Sequence, residues 1–310
     1  MEKKFHNIAV LMGGGSSERE ISLLSGAAVS GALKEAGYCV TPVEVSRDNR
    51  FALPAGTEAV FIMLHGAFGE DGRVQSLLDG MGLPYTGSGA ASSRNSFDKG
   101  LSRKVFAAAG VSIAEGYLLR KESCTGSVPA SKLSFPVVVK ATCQGSSVGV
   151  YIVHTQSDWE HALGDVFRYG DEAVVERFIA GREWSVPIIG DGIVLPMMEM
   201  TPSTERGWYD WDAKYKDGSG TVYRFPGDNP GDAETVARAE ALALKAYRAL
   251  GARGMGRVDI RVNPRGELFV LENNSIPGCT SHSILPQAGR KAGISFPELC
   301  SRIVETARCG

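Results

Sequence analysis

GMGRVDIRVNPRGELFVLENNSIPGCTSHSILP, residues 254–286, decides how the chain is read. Two apolar-alternating runs, Arg257–Val262 and Glu267–Asn274, flank Asn263-Pro264-Arg265-Gly266. Pro at the second turn position and Gly at the fourth suit a type I turn, so the pattern predicts a β-hairpin. Side chains alternate faces along a strand. Pairing Val262 with Glu267 sets Arg257 opposite Glu272 and Asp259 opposite Val270. On that register Arg257, Asp259, Glu272 and Asn274 share one face, while Val258, Ile260, Val262, Phe269 and Leu271 share the other. The second is an ordinary core face. The first carries two carboxylates, a carboxamide and a guanidinium. A solvated face with cross-strand ion pairs is the ordinary explanation. Asn274 weighs against it, being a poor strand residue but a good oxygen ligand. Hard oxygen donors without His or Cys suit Mg²⁺, provided a phosphate site exists elsewhere in the chain.

Such a site needs anion-binding loops at strand ends. Residues 7–12 (NIAVLM) form an apolar run entering Gly13-Gly14-Gly15-Ser16-Ser17, and a helix is expected from about Glu18 to Ala36, ended by Gly37. Strand, glycine loop and helix start are the layout of an α/β anion loop. The dinucleotide fingerprint lacks its later glycine and is rejected. Ser17 with Glu20 fits a capping box; Glu18 either favours the helix dipole or serves a site. The buried parallel strand Ala59–Leu64 ends in His65-Gly66-Ala67-Phe68-Gly69-Glu70-Asp71-Gly72. Open α/β sheets bind ligands at that end, which turns His65 from a structural residue towards a site residue.

A helical segment from Ala91 to Ala109 carries Lys99. Strand Pro136–Lys140 leads through Ala141-Thr142-Cys143-Gln144-Gly145-Ser146-Ser147-Val148-Gly149 to strand Val150–Val153. Backbone N–H groups of such a loop cradle phosphates, with Lys140 as point charge; a plain Gly/Ser turn is the alternative. The chain continues with a helix around Asp158–Phe167, strand Ala173–Glu176, strand Trp184–Ile189, a return strand Ile193–Met200 and a helix Asp232–Leu250. The polar loop 201–223 has the length of a functional lid.

The 310 residues suit two or three domains, and 43% hydrophobic with 22% charged residues is ordinary globular composition. A net charge of −2 gives no reason to expect nucleic acid or anionic membrane as partner. The six cysteines are scattered with no zinc-like spacing, which predicts free thiols. No run approaches transmembrane length and no signal peptide is visible, so a cytoplasmic protein is expected.

Taken together, GGGSSEREISLLSG (13–26), LHGAFGEDG (64–72), VVVKATCQGSSVG (137–149), YDWDAKY (209–215), GRVDI (256–260) and LENNSIPGCTSHS (271–283) give the chain its likeness. Colinear over its full length, it resembles the D-alanine–D-alanine ligases of the ATP-grasp superfamily. The resemblance implies an α/β ATP-grasp fold of three domains. These are an N-terminal parallel α/β substrate domain (1–92), a central subdomain with the small phosphate loop (93–179), and a C-terminal subdomain with lid and Mg²⁺ site (180–310).

It also implies roles. Lys99 and Lys140 would bind ATP phosphates, with Ser146 and Ser147 in the closing small loop and Lys214 reaching from the lid. Glu176, Phe178, Ile179 and Glu183 would hold adenine and ribose. Asp259, Glu272 and Asn274 would hold two Mg²⁺, with Mn²⁺ as substitute. Glu18, Ser146 and Tyr215 would form a trio joining the domains. Glu18 and His65 would hold the first D-alanine, Arg257 its carboxylate and the developing oxyanion, and Gly278, Ser283 and Ile284 the second subsite. The implied reaction joins two D-alanines at the expense of ATP, in a homodimer, for peptidoglycan precursor synthesis. A ligase using D-lactate or D-serine as acceptor is the alternative. Ala141 departs from the family's usual Pro, and Trp211 from its usual Tyr.

Overall fold

The computed structural model describes residues 3–124, 133–145, 147–202 and 221–310. The expectations for Ser146, Lys214 and Tyr215 lie outside the described residues.

The chain begins with β1 (Asn7–Gly13), α1 (Arg19–Glu35), β2 (Cys39–Val45), β3 (Ala59–Ile62) and α2 (Arg73–Gly80). The three strands form a parallel sheet in the order β2-β1-β3. β3 is buried throughout, as the continuous apolar run requires of a strand covered on both faces. α1 follows the predicted limits, but its N-cap is Glu18 and no side chain caps it. The expected Ser17–Glu20 capping box is therefore not formed. Instead the neighbouring Ser16 hydroxyl accepts from Glu18 N–H and donates to the His65 carbonyl at 2.7 Å, tying the glycine loop to the end of β3.

The single helical segment expected over 91–109 is two helices, α3 (Ala90–Phe97) and α4 (Lys99–Ala108). Asp98 breaks the run with extended backbone, and its carboxylate caps α4 by accepting from Gly100 and Leu101 N–H. An aspartate that can bond the backbone ahead of it competes with helix continuation, and here it places Lys99 at the first helical position.

The second sheet comprises β4 (Gly116–Arg120), β5 (Val137–Ala141), β6 (Val150–Val153) and β7 (Glu172–Arg177), with α5 (Gln156–Val166) packed on it. Its order is β4-β7-β5-β6, all antiparallel.

The third sheet contains β8 (Arg182–Ile189), β9 (Ile193–Val194), β10 (Met198–Thr201) and β11 (Val222–Arg224). After α6 (Ala233–Ala249), β12 (Met255–Val262) and β13 (Leu268–Asn274) complete it, and α7 (Ile284–Lys291) and α8 (Phe296–Val304) follow. Its order is β11-β10-β8-β12-β13, with β9 beside β8. The return strand expected over 193–200 is broken at Leu195-Pro196-Met197, where proline supplies no N–H to a ladder. α8 packs back on α1 and completes the first sheet's core through Leu299, Ile303 and Val304.

The hairpin corrects its own prediction. Gly266 N–H bonds to the Asn263 carbonyl at 2.8 Å and takes φ +74°, a left-handed residue that lengthens the loop. Val262 therefore pairs with Leu268, not Glu267. The ladder then slips between Ile260 and Asp259: Ile260 faces Val270, but Asp259 faces Glu272 and Arg257 faces Asn274. Leu271 is the extra residue of this bulge. Val270, expected on the polar face, lies in the core with Val258, Ile260 and Val262. Phe269 and Leu271, expected in the core, are only partly buried. The bulge restores the predicted polar quartet by a different route, since an extra residue flips every side chain after it.

Because Asp98 caps α4, Asp98→Ala should cost about 1 kcal/mol of stability, seen as a lower urea midpoint. Asp98→Asn, which keeps an acceptor, should recover most of it. Equal midpoints for all three proteins would show that the cap does not hold α4.

Candidate active site

The polar face of β12–β13 is the floor of the site. Arg257 Nε and Nη2 each donate to Asp259, at 2.8 Å to Oδ1 and 2.8 Å to Oδ2. Asp259 also accepts from the buried Ser185 hydroxyl on β8, its ladder partner on the other side. Its second ladder partner, Glu272, lies 3.2 Å (Oε2) from Lys99 Nζ. Asn274 Oδ1 accepts from Ile276 N–H at 3.0 Å. Two carboxylates directly across a ladder, with a carboxamide two residues on, form an all-oxygen donor set of the hard kind Mg²⁺ takes. The residues present therefore fit a divalent cation. Among the described residues no group of three or more His, Cys, Asp or Glu is placed to hold one.

One wall is cationic. Lys99 Nζ donates to the Gln144 carbonyl at 2.6 Å, so it touches both the small loop and Glu272. Lys140 is buried and pairs with Glu176 Oε1. The other oxygen of Glu176 pairs with Arg103 Nη1 at 2.8 Å. Glu176, expected at the adenine hinge, thus sits inside the second sheet between two cations. Beyond it, Arg261 gathers the remaining hinge residues. Its Nε donates to the Ile179 carbonyl at 3.1 Å, its Nη1 lies 3.2 Å from Glu183 Oε2, and its guanidinium is 6.0 Å from the Phe178 ring centre. Ser147 takes a left-handed φ of +62° in the small loop.

The opposite wall comes from the parallel sheet. His65 is buried, with Nε2 3.5 Å from Ser25 Oγ, and Ser25 Oγ also accepts from Cys279 N–H at 3.2 Å. One hydroxyl thus links the first-domain wall to the loop carrying Gly278 and Ser283. Burial pushes the His65 imidazole below its usual range, against the pull of Glu18, so it is neutral and can donate or accept at a substrate. Glu18 lies against two glycines: a Cβ on Gly66 would stand 3.0 Å, and on Gly145 3.2 Å, from its Oε2. It therefore touches both the first wall and the small loop.

At the residues expected for the second subsite, Ser283 Oγ accepts from Thr280 N–H at 3.0 Å, and a Cβ on Gly278 would meet it at 2.8 Å. Ile284 packs in an apolar cluster with Met198 and Met200. The buried Cys279 thiol is pushed up to about 12 by burial.

Sequence reasoning missed Arg103, Ser185, Arg261 and Glu70. Arg261 was within reach, since it follows Arg257 and Asp259 on the same strand parity. Arg103 and Ser185 had no signal, because their roles arise only when distant elements, α4 with β7 and β8 with β12, come together. Glu70 is buried, and its Oε2 accepts from Gly66 N–H at 2.6 Å. Burial and then the charge of Glu18 hold its carboxyl well above the ordinary range, with Glu272 adding to the rise and Arg257 opposing it.

Three sheets converging on paired carboxylates, buried lysines and an arginine define an ATP-grasp ligase, a class that activates a carboxylate with nucleotide. Two family models match the chain, D-ala D-ala ligase N-terminus over residues 7–59 and 52–88 and D-ala D-ala ligase C-terminus over 105–305. A D-alanine–D-alanine ligase of Desulforudis audaxviator is 45% identical over 97% of this chain and 98% of its own length. The Bacillus anthracis D-alanine–D-alanine ligase complexed with ATP superposes with a TM-score of 0.82 at 31% identity, covering 98% of this chain and 97% of that one. The VanG D-Ala:D-Ser ligase of Enterococcus faecalis superposes with 0.84 at 25% identity, covering 98% and 99%. The chain belongs to the D-alanine–D-alanine ligase family.

Glu70 sets a pH test. Its folded pKa is raised above its unfolded one, so its contribution to stability is complete below the unfolded carboxylate pKa and is lost as pH rises through the folded value. Glu70→Gln keeps an acceptor for Gly66 and removes that loss. Between pH 5 and pH 9 the wild type should lose melting temperature relative to Glu70→Gln, and parallel profiles would contradict the assignment.

Proposed function

We propose that this chain joins two D-alanines into D-alanyl-D-alanine, converting ATP to ADP and phosphate, for peptidoglycan precursor synthesis. The observation that carries the reading is the convergence of Lys99, Glu272, Asp259 and Arg257 on one face, opposite His65 and Glu18. Family membership makes it a carbon–nitrogen ligase, and the ATP complex of the B. anthracis relative supports ATP as the nucleotide.

The γ-phosphoryl group passes to the carboxylate of the first D-alanine. The amine of the second attacks the resulting acyl phosphate, and phosphate leaves. Lys99 and Lys140 neutralise phosphate charge during transfer. Both are held by carboxylates in the structure, so nucleotide binding exchanges one anionic partner for another. Asp259, Glu272 and Asn274 would hold two Mg²⁺, or Mn²⁺ in their place, which when bound screen the triphosphate and polarise the transferring group. Arg257, oriented by Asp259, meets the substrate carboxylate and the oxyanion that forms on attack. Glu18 takes the first ammonium, and neutral His65 stands beside it without repelling it. Glu176, with Phe178, Ile179 and Glu183 gathered by Arg261, would receive the base and ribose. Gly278, Ser283 and Ile284 line the acceptor subsite. Ser146, Ser147, Lys214 and Tyr215 would close over the reactants and exclude water, as an acyl phosphate requires.

We also propose the division 1–92, 93–179 and 180–310, which gives each domain one sheet. A homodimer in the cytoplasm is part of the same reading. Among the described residues no helix is long and apolar enough to cross a membrane.

The VanG neighbour has nearly the same fold, so the fold alone does not choose the acceptor. The 45% identity to a D-alanine–D-alanine ligase favours D-alanine. Ala213-Lys214-Tyr215 agrees with it as the dipeptide-type pattern. The test offers equal concentrations of D-alanine, D-lactate and D-serine with ATP across pH 6 to 9 and analyses the products. D-alanyl-D-alanine should dominate throughout. A depsipeptide or D-alanyl-D-serine as main product near neutral pH would replace this reading with the alternative acceptor.

A further inference from the structure

β13 is the last strand of its sheet, and its free edge is clasped by the segment running from α3 through α4. At one end Val270 N–H donates to the Ser112 carbonyl at 2.8 Å, and Ser112 Oγ donates to the Leu268 carbonyl at 2.6 Å. At the other end two successive residues are gripped: Glu272 by Lys99 at 3.2 Å, and Asn273 by Ser96, its Nδ2 donating to Ser96 Oγ at 3.0 Å. The bulge residue Leu271 lies between the two grips. It is what turns Glu272 onto the face of Asp259.

Asn273 points the opposite way from Glu272, into the core, where it is 3% exposed. A Cβ on Gly256 would stand 3.1 Å from its Oδ1. That Oδ1 has no hydrogen-bond partner among the described residues. A buried amide with one unmet acceptor is costly compared with an apolar side chain, so packing stability does not account for asparagine here. What the amide adds is direction. Its bond to Ser96 fixes the register of β13 against α3, where apolar contact would allow sliding. Ser96 precedes Lys99 by three residues and Asn273 follows Glu272 by one. The bond therefore sets the separation between the Lys99 ammonium and the Glu272 carboxylate.

We propose that Asn273 and Ser96 are a positioning pair that holds Glu272 for a divalent cation. The pair prevents the carboxylate from collapsing fully onto Lys99. This rests on the metal reading of Glu272.

The test replaces both partners by apolar groups in the full chain, Ser96→Ala with Asn273→Leu, and measures Mn²⁺ binding by electron paramagnetic resonance in the presence of ADP. The double variant should keep or raise its urea midpoint, because neither partner is left unpaired. Its half-saturating Mn²⁺ concentration should rise about tenfold, the usual effect of losing support behind a ligand, while KM for D-alanine is unchanged. Ser96→Thr, which keeps the hydroxyl, should bind Mn²⁺ as the wild type does. If the double variant does not fold, Ser96→Ala alone should show the same rise. Unchanged Mn²⁺ binding in a folded variant, with Glu272→Gln weakening it, overturns the positioning role alone. Unchanged binding in Glu272→Gln overturns the metal reading and the proposal with it.

Discussion

Buried charge, and the need to keep it paired, is the constraint on which this structure depends. Lys99, Lys140, Glu176 and Asp259 are all largely removed from water. Each has an opposite charge in contact: Glu272, Glu176 flanked by Arg103, and Arg257. Losing one member of a buried pair costs about 3–5 kcal/mol, because the survivor is left uncompensated. Apart from Arg257–Asp259, which lie on one strand, the pairs therefore pin separate parts of the chain together. Lys99, at the start of α4, joins that helix to the third sheet, and Arg103 joins it to the second. The same groups are those a charged nucleotide would meet, so the contacts that hold the sheets in place also preload the site with charge.

The wall from the first sheet is built differently. His65, Ser25 and the Cys279 backbone form a nearly neutral chain of contacts from the first sheet to the subsite loop. Burial, and then the charge of Glu18, hold the Glu70 carboxyl well above its ordinary range. Glu18, beside Gly66 and Gly145, is the carboxylate of this wall and faces the charged floor of Arg257, Asp259 and Glu272.

Much of this was legible in the sequence because it rests on local alternation. Arg257, Asp259, Glu272 and Asn274 share a face in the structure as the pattern required. The register behind that face was not legible. A left-handed Gly266 and a bulge at Leu271 each shift the pairing, and their combined effect on side-chain parity appears only where Glu272 meets Asp259. The break at Asp98 was readable in principle, since aspartate directly ahead of a helical run is a capping signal. Arg103 and Ser185 were not, because nothing near them in the chain shows that β7 and β12 will lie alongside. The family resemblance named Glu176 for the nucleotide hinge. The structure shows it first as the counter-charge of Lys140, a role that depends on β5 and β7 being neighbours.

The central claim is that the carboxylate of one D-alanine is activated by phosphoryl transfer before the second attacks. Isotope transfer tests this most directly. D-Alanine labelled with ¹⁸O in both carboxylate oxygens is turned over with unlabelled ATP, and the released phosphate is analysed by mass spectrometry. Passage through an acyl phosphate leaves one ¹⁸O in phosphate for each dipeptide formed. Dipeptide and ADP produced with unlabelled phosphate would contradict the account.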